Sequence, residues 1–139
     1  MKNSERSGRK NNAKKETIVE KVIDGDTVET EGGIRVRYIG IDTPETDKKE
    51  CYASQAAEKN KQLVLNKEVV LEKDVSETDD YNRLLRYIYL DGVLINELLI
   101  KEGYAKSVPI SPDTKYQSRF WAAQQEAQKN NSGLWGECY

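Results

Sequence analysis

The 139-residue sequence has no histidine, only two cysteines, three prolines and one methionine. Without imidazole, histidine-ligated zinc centres and histidine acid–base catalysis are excluded. No stretch approaches the roughly 20 consecutive apolar residues of a membrane-spanning helix. The two cysteines, Cys51 and Cys138, form no CxxC pair. They are either free buried thiols or one disulfide. The place of Cys138 near the end of the sequence favours a bridge, because a staple there prevents fraying. Closing so long a loop stabilises a domain by about 4–5 kcal/mol in the chain-entropy picture.

What is present is charge. Charged residues make up 33% and apolar residues 37% of the chain, enough apolar content for one core but not for a larger assembly of domains. The formal balance is −2, but it is uneven. Residues 1–16 carry six basic and two acidic groups. The remaining sixteen basic and twenty-two acidic groups leave residues 17–139 at −6. We therefore read 1–16 as a flexible basic tail and 17–139 as the folded domain. Residues 1–15 lack the apolar segment of a signal peptide, about 7–15 residues long. If such an acidic domain handles phosphates, something must offset its carboxylates, and a bound cation is the natural candidate.

From Thr17 the pattern is one of short β-branched runs. TIVEKVI, DTVETE and IRVRYIGI read as three consecutive strands, the third stopped by Pro44, which has no N–H for a ladder. Residues 52–66 read as an amphipathic helix with Ala53, Ala56, Leu63 and Val64 inward. KEVVLEKDV is a strand, and LRYIYL-DG-VLI is a hairpin with a two-residue turn. Asn96 is placed to cap the short helix ELLIKEG, which Gly103 stops, and Asp113 or Thr114 to cap a last helix reaching Asn130. This order predicts an α+β, mainly β, fold: a five-stranded OB-type barrel with three helices, in which a long curved strand counts once.

Two acidic pairs adjoin strand ends: Asp24 and Asp26 in VIDGDTV, Asp42 and Glu45 in GIDTPET. Each alone reads as an ordinary turn. Together they offer oxygen ligands to a hard cation, though without EF-hand spacing. Arg37 enters the second acidic loop along its own strand, and Arg83 lies in the polar turn DDYNR. Guanidinium forks suit phosphate oxygens and the charge that grows on them in phosphoryl transfer.

The series IDGDTV, VRYIGIDTPET, TDDYNRLLRYIYLDGVLINELLIKEGYAK and SGLWGE resembles the staphylococcal thermonuclease family, from about Ile18 to Trp135. The resemblance implies an OB-fold nuclease that binds Ca²⁺ and hydrolyses DNA and RNA, cutting the P–O5′ bond to leave 3′-phosphates. It implies Asp26, Asp42 and the Thr43 carbonyl as metal ligands, Glu45 as general base, and Arg37 and Arg83 as phosphate-stabilising groups. Tyr81 is implied beside the nucleotide phosphate. It also implies a monomer that is secreted or cell-surface, with a Cys51–Cys138 pair similar to that of one branch of the family. Asp80 stands where the family has a lysine, and Pro109 and Ser111 where it has tyrosines, with Tyr116 nearby as a substitute. The alternative is an inactive OB module that only binds nucleic acid or protein.

Arg37 and Asp42 differ in parity, so a flat strand would point them to opposite faces. A shared site requires a bend or bulge, and Gly40 is the place for it. The cysteine alternatives are separated by counting reactive thiols in denaturant without reductant: none is expected for a bridge, and two would exclude it.

Overall fold

The computed structural model describes residues 14–139, so most of the basic tail lies outside the described residues. β1 spans Lys14–Asp24, beginning three residues before the Thr17 boundary read from composition. β2 (Thr27–Thr30) and β3 (Ile34–Tyr38) complete an antiparallel meander. β1 is the long curved strand. Residues 14–18 pair with β5 (Glu68–Glu72), while residues 19–24 pair with β2 through two register shifts. β5 pairs with β6 (Leu84–Leu90), and β6 returns parallel to β3, closing a five-stranded barrel. The α+β OB-type expectation holds.

The third strand stops earlier than Pro44 predicts. It ends at Tyr38, the chain turns through Ile39 and Gly40, and β4 (Ile41–Asp42) starts a separate ladder with β8 (Lys106–Ser107). The break is glycine's: Gly40 has φ +79°, and a Cβ there would sit 2.9 Å from the Phe120 ring. The β6–β7 hairpin, with β7 at Val93–Leu94, turns on Asp91 and Gly92, both at positive φ, as a two-residue primed turn requires.

α1 (Ala53–Val64) packs along β1. Its fully buried stripe is Ala53, Ala56, Asn60 and Val64, and Leu63 packs half-buried against the core. α2 (Ile95–Lys101) and α3 (Gln117–Lys129) pack on each other and on the barrel, and a fourth short helix, α4 (Leu134–Glu137), was not anticipated. Gly103, at φ +84°, ends α2 as expected. The two proposed caps do not form. Asn96 is buried inside the first turn of α2, where it accepts from the Ile88 N–H and donates to the Ile39 carbonyl, both at 2.9 Å. Asp113 accepts instead from the Val75 and Ser76 amides, 2.9 and 2.8 Å away, and neither it nor Thr114 caps α3. In both cases a long-range backbone donor outbid the local one. Among the described residues no helix is long and apolar enough to cross a membrane.

Cys51 and Cys138 are bridged, and no free cysteine remains. Carboxylates carry much of the polar interior. Burial pushes Glu72 up, but hydrogen bonds from Lys115, Tyr116 and Tyr89 outweigh it and hold the carboxyl below its ordinary value. Asp79 and Asp113 are also lowered, because backbone amides outweigh their desolvation. A depressed folded pKa gives stability that is present above the unfolded value and lost as pH falls through the folded one. Unfolding free energy is therefore expected to decline once pH drops below about 4.5, the ordinary Glu value. Urea titrations at pH 7, 5, 4 and 3 check this, and Glu72→Gln should flatten the decline.

Candidate active site

The site starts from the bend at Gly40. Inward side chains along β3 are Val36 and Tyr38, so Arg37 points out of the barrel. Tyr38, Ile39 and Ile41 are all buried, which breaks the alternation across the turn. The Arg37 guanidinium folds back into the crook so formed. Its Nη1 donates to the carbonyls of Tyr38 (2.7 Å) and Ile41 (2.9 Å), and its Nη2 lies 3.4 Å from Asp42 Oδ1. The same Nη2 is 3.4 Å from Asp26 Oδ2. Arg37 and Asp42 thus share one site, as the bend at Gly40 was expected to allow.

Asp26 comes from the β1–β2 turn. Its Oδ2 accepts the Thr43 N–H at 2.9 Å, and its Oδ1 accepts the Thr27 hydroxyl at 3.1 Å. Gly25 lets the two loops meet: a Cβ there would lie 2.7 Å from Thr43 Oγ1 and 2.9 Å from Ala56 Cβ. Asn60 fixes the first loop from behind, donating to the Asp24 carbonyl (2.9 Å) while accepting from the Tyr38 hydroxyl (2.7 Å). Asn60 is fully buried and was missed in the sequence. Its helical spacing from Ala53, Ala56 and Val64 was the available signal.

The carboxylates crowd one another. Burial, with Asp26 adjacent, pushes Asp24 up to about 6. Burial also raises Asp42, and so do Asp26, Glu45 and Glu50, against the pull of Arg37. Among the described residues there is no cluster of three side chains ready to hold a metal ion. The donor chemistry of Asp26, Asp42 and the Thr43 carbonyl nevertheless fits a hard cation: all are oxygens, and the surplus negative charge is what a cation relieves.

Across an open cleft of about 520 Å³ stands the second arginine. Asp79 organises its turn, accepting from the amides of Tyr81 (2.9 Å) and Arg83 (3.0 Å) and from Arg83 Nε (2.8 Å). That leaves the Nη groups of Arg83 without a hydrogen-bond partner among the described residues. Arg37, Asp42, Tyr81 and Arg83 all line this cleft. Tyr81 is 80% exposed, with the Arg83 guanidinium 5.4 Å from its ring centre.

Glu45 lies outside the cleft. Its carboxylate is near Lys48 (3.7 Å), and its N–H donates to Glu50 Oε1 (2.8 Å). Of the family departures, Asp80 and Ser111 line the cleft, together with Ile110. Tyr116 does not substitute there: its hydroxyl donates to Glu72 (2.8 Å) and accepts from Tyr89 (2.8 Å), in the aromatic cluster with Tyr87 and Phe120.

The family model described as "Staphylococcal nuclease homologue" matches residues 35–137. The chain is 41% identical over 132 residues to a thermonuclease of Staphylococcus hyicus, covering 89% of this chain and 78% of that protein. It is 37% identical over 131 residues to the SPbeta prophage-derived endonuclease YokF of Bacillus subtilis (strain 168), and 38% over 128 residues to endonuclease YncB of the same strain. These matches take in 88% and 86% of this chain, but only 44% and 61% of the two relatives.

Gly40 and Gly92 share nearly the same φ, +79° and +82°, but only Gly40 faces a neighbour. Gly92→Ala should cost about 1 kcal/mol of backbone strain, and Gly40→Ala about 2–3 kcal/mol, since Phe120 must also move. Parallel urea melts measure the difference. Equal losses would mean that Phe120 does not hold the bend.

Proposed function

The chain belongs to the staphylococcal nuclease homologue family, and from that premise we propose that it is a Ca²⁺-dependent phosphodiesterase acting on DNA and RNA. The observation that carries the proposal is the single cleft flanked by Arg37, itself between Asp26 and Asp42, and by the half-free Arg83. Two thermonuclease relatives and two endonuclease relatives support the reading.

In this reading Asp26, Asp42 and the Thr43 carbonyl hold the cation. When bound, Ca²⁺ supplies Lewis-acid polarisation of a phosphoryl oxygen and a template for the substrate. Arg37 and Arg83 bind the phosphate from two sides and counter charge developing on its equatorial oxygens. Glu45 orients a water molecule and takes its proton, which requires its carboxylate to exchange Lys48 for water as substrate arrives. Tyr81 offers its exposed ring to the adjoining nucleotide. Cleavage of the P–O5′ bond leaves a 3′-phosphate. A monomer is the working form. The disulfide fits an oxidising compartment, at the cell surface or outside it.

Digestion of single- and double-stranded DNA and of RNA, with Ca²⁺ or with EGTA, tests this. Wild type should cleave with Ca²⁺ only. Glu45→Ser and Arg83→Ala should each lower kcat by about 100- to 1,000-fold, the usual loss for one transition-state donor. Nucleic-acid binding without cleavage under any divalent ion would favour the inactive OB module.

A further inference from the structure

Glu45 sits on a loop with few anchors of its own, and those it has converge on one place. Glu50 Oε1 accepts the Glu45 N–H at 2.8 Å, and the Glu50 N–H returns to the Glu45 carbonyl at 3.2 Å. Lys49 donates to the Thr46 carbonyl, closing the loop on itself. Lys49 and Tyr52 both stand at positive φ (53° and 73°), so the loop is held in a conformation that its residues do not favour alone. The next residue, Cys51, is bonded to Cys138. Cys138 follows α4, which is fixed to the body of the protein by buried Leu134 and by the Leu134 N–H on the Gly103 carbonyl (2.9 Å). Asp42, Thr43, Pro44, Glu50 and both cysteines line one cleft of about 320 Å³.

We propose that Glu50 and the Cys51–Cys138 disulfide are positioning groups for Glu45, so that the oxidation state of the bridge sets the turnover of the enzyme. This rests on the nuclease reading above. Glu50 fixes the backbone of Glu45 by accepting its N–H, and the bridge fixes Glu50 by tying the next residue to α4. Reduction by a dithiol breaks the Sγ–Sγ bond. Two electrons and two protons give two thiols, and the dithiol leaves as its cyclic disulfide. The barrel, Asp26, Arg37 and Arg83 keep their own anchors, so substrate binding outlasts the loss of loop order.

The test has two arms on the full chain. In the first, Ca²⁺-dependent cleavage of a DNA oligonucleotide is measured for the oxidised protein, for protein reduced with dithiothreitol with thiols counted, and for Cys51→Ser/Cys138→Ser, Glu50→Ala and Glu50→Gln. Reduction, the double serine variant and Glu50→Ala should each lower kcat about tenfold or more while leaving KM nearly unchanged, as expected for loss of one hydrogen bond that positions a reacting group. Glu50→Gln keeps the accepting oxygen and should retain most of the activity. In the second arm, hydrogen exchange follows the amides of Glu45, Lys49 and Glu50. Reduction should speed their exchange well before that of Ile88 in the barrel.

An unchanged kcat in reduced protein overturns the proposal, and so does equal damage from Glu50→Ala and Glu50→Gln. If the oxidised wild type cleaves nothing, the nuclease reading fails instead. The exchange arm then decides alone: unaltered protection of the three amides on reduction sinks the positioning role. Should the reduced chain unfold, the alanine–glutamine contrast in the oxidised protein decides.

Discussion

Arg37 carries one positive charge into a crook of backbone that already presents two carbonyl oxygens and two carboxylates. The rest of the site is arranged around that guanidinium. It closes the Gly40 turn, it joins the β1–β2 loop to the β4 loop, and it sets the separation of Asp26 and Asp42. Asp26 is only 5% exposed, so losing the guanidinium would leave a buried carboxylate with the Thr43 N–H and the Thr27 hydroxyl but no opposite charge, a penalty on the order of 3 kcal/mol. Arg37 is thus a structural residue as well as a proposed phosphate ligand. A planar fork can serve carbonyls with one nitrogen and carboxylates with the other, which a lysine ammonium cannot do from one rotamer.

Barrel closure brings the second arginine to the first. β3 and β6 run parallel, with Arg37 opposite Leu85. Arg83 lies two residues before Leu85, immediately ahead of the strand, so the register that closes the barrel also fixes the rise of Arg83 relative to Arg37. The turn before β6 then has one task, to aim that side chain, and Asp79 performs it through three hydrogen bonds to residues 81 and 83. The scaffold sets position and a single carboxylate sets direction.

Much of this was legible in the chain. Strand-forming runs, the Asp91-Gly92 turn and the inward stripe of α1 all leave a period or a fixed dipeptide in the sequence, and they were read correctly to within a few residues. The parity conflict between Arg37 and Asp42 located the bend at Gly40. What was not legible are hydrogen bonds between residues far apart in sequence. Asn96 and Asp113 looked like helix caps because a cap is local and leaves a pattern. Their actual partners, Ile39 and Ile88 for one and Val75 and Ser76 for the other, are backbone groups with no pattern at all. Tyr116 was open to a role in the cleft for the same reason, until Glu72 and Tyr89 took up its hydroxyl. Glu50 acts on the Glu45 loop through a main-chain N–H, which leaves no sequence pattern, whereas Asn60 left only its helical spacing from Ala53, Ala56 and Val64.

The electrostatics of the cleft then limit how it can meet a polyanion. Its walls carry Arg37 and Arg83, but also Asp42, Asp79, Asp80 and Asp113. Both arginines are already partly neutralised, Arg37 by Asp26 and Asp42 and Arg83 by Asp79. A phosphate diester entering such a cleft meets little net attraction from the protein alone. The rise in the pKa of Asp42 records the same surplus: burial and neighbouring carboxylates together outweigh the guanidinium beside it. In the proposed reading, a divalent cation on Asp26 and Asp42 would change the balance twice. It would offset the repulsion between carboxylate and phosphate, and it would relieve Arg37 of part of its pairing with Asp26 and Asp42. Asp80 adds to the acidic wall of the cleft, and so to the charge that such a cation would offset. A cleft so acidic would suit a phosphate better with a bound cation than without one. That is the physical ground on which the proposed reading ties binding and hydrolysis to one ion.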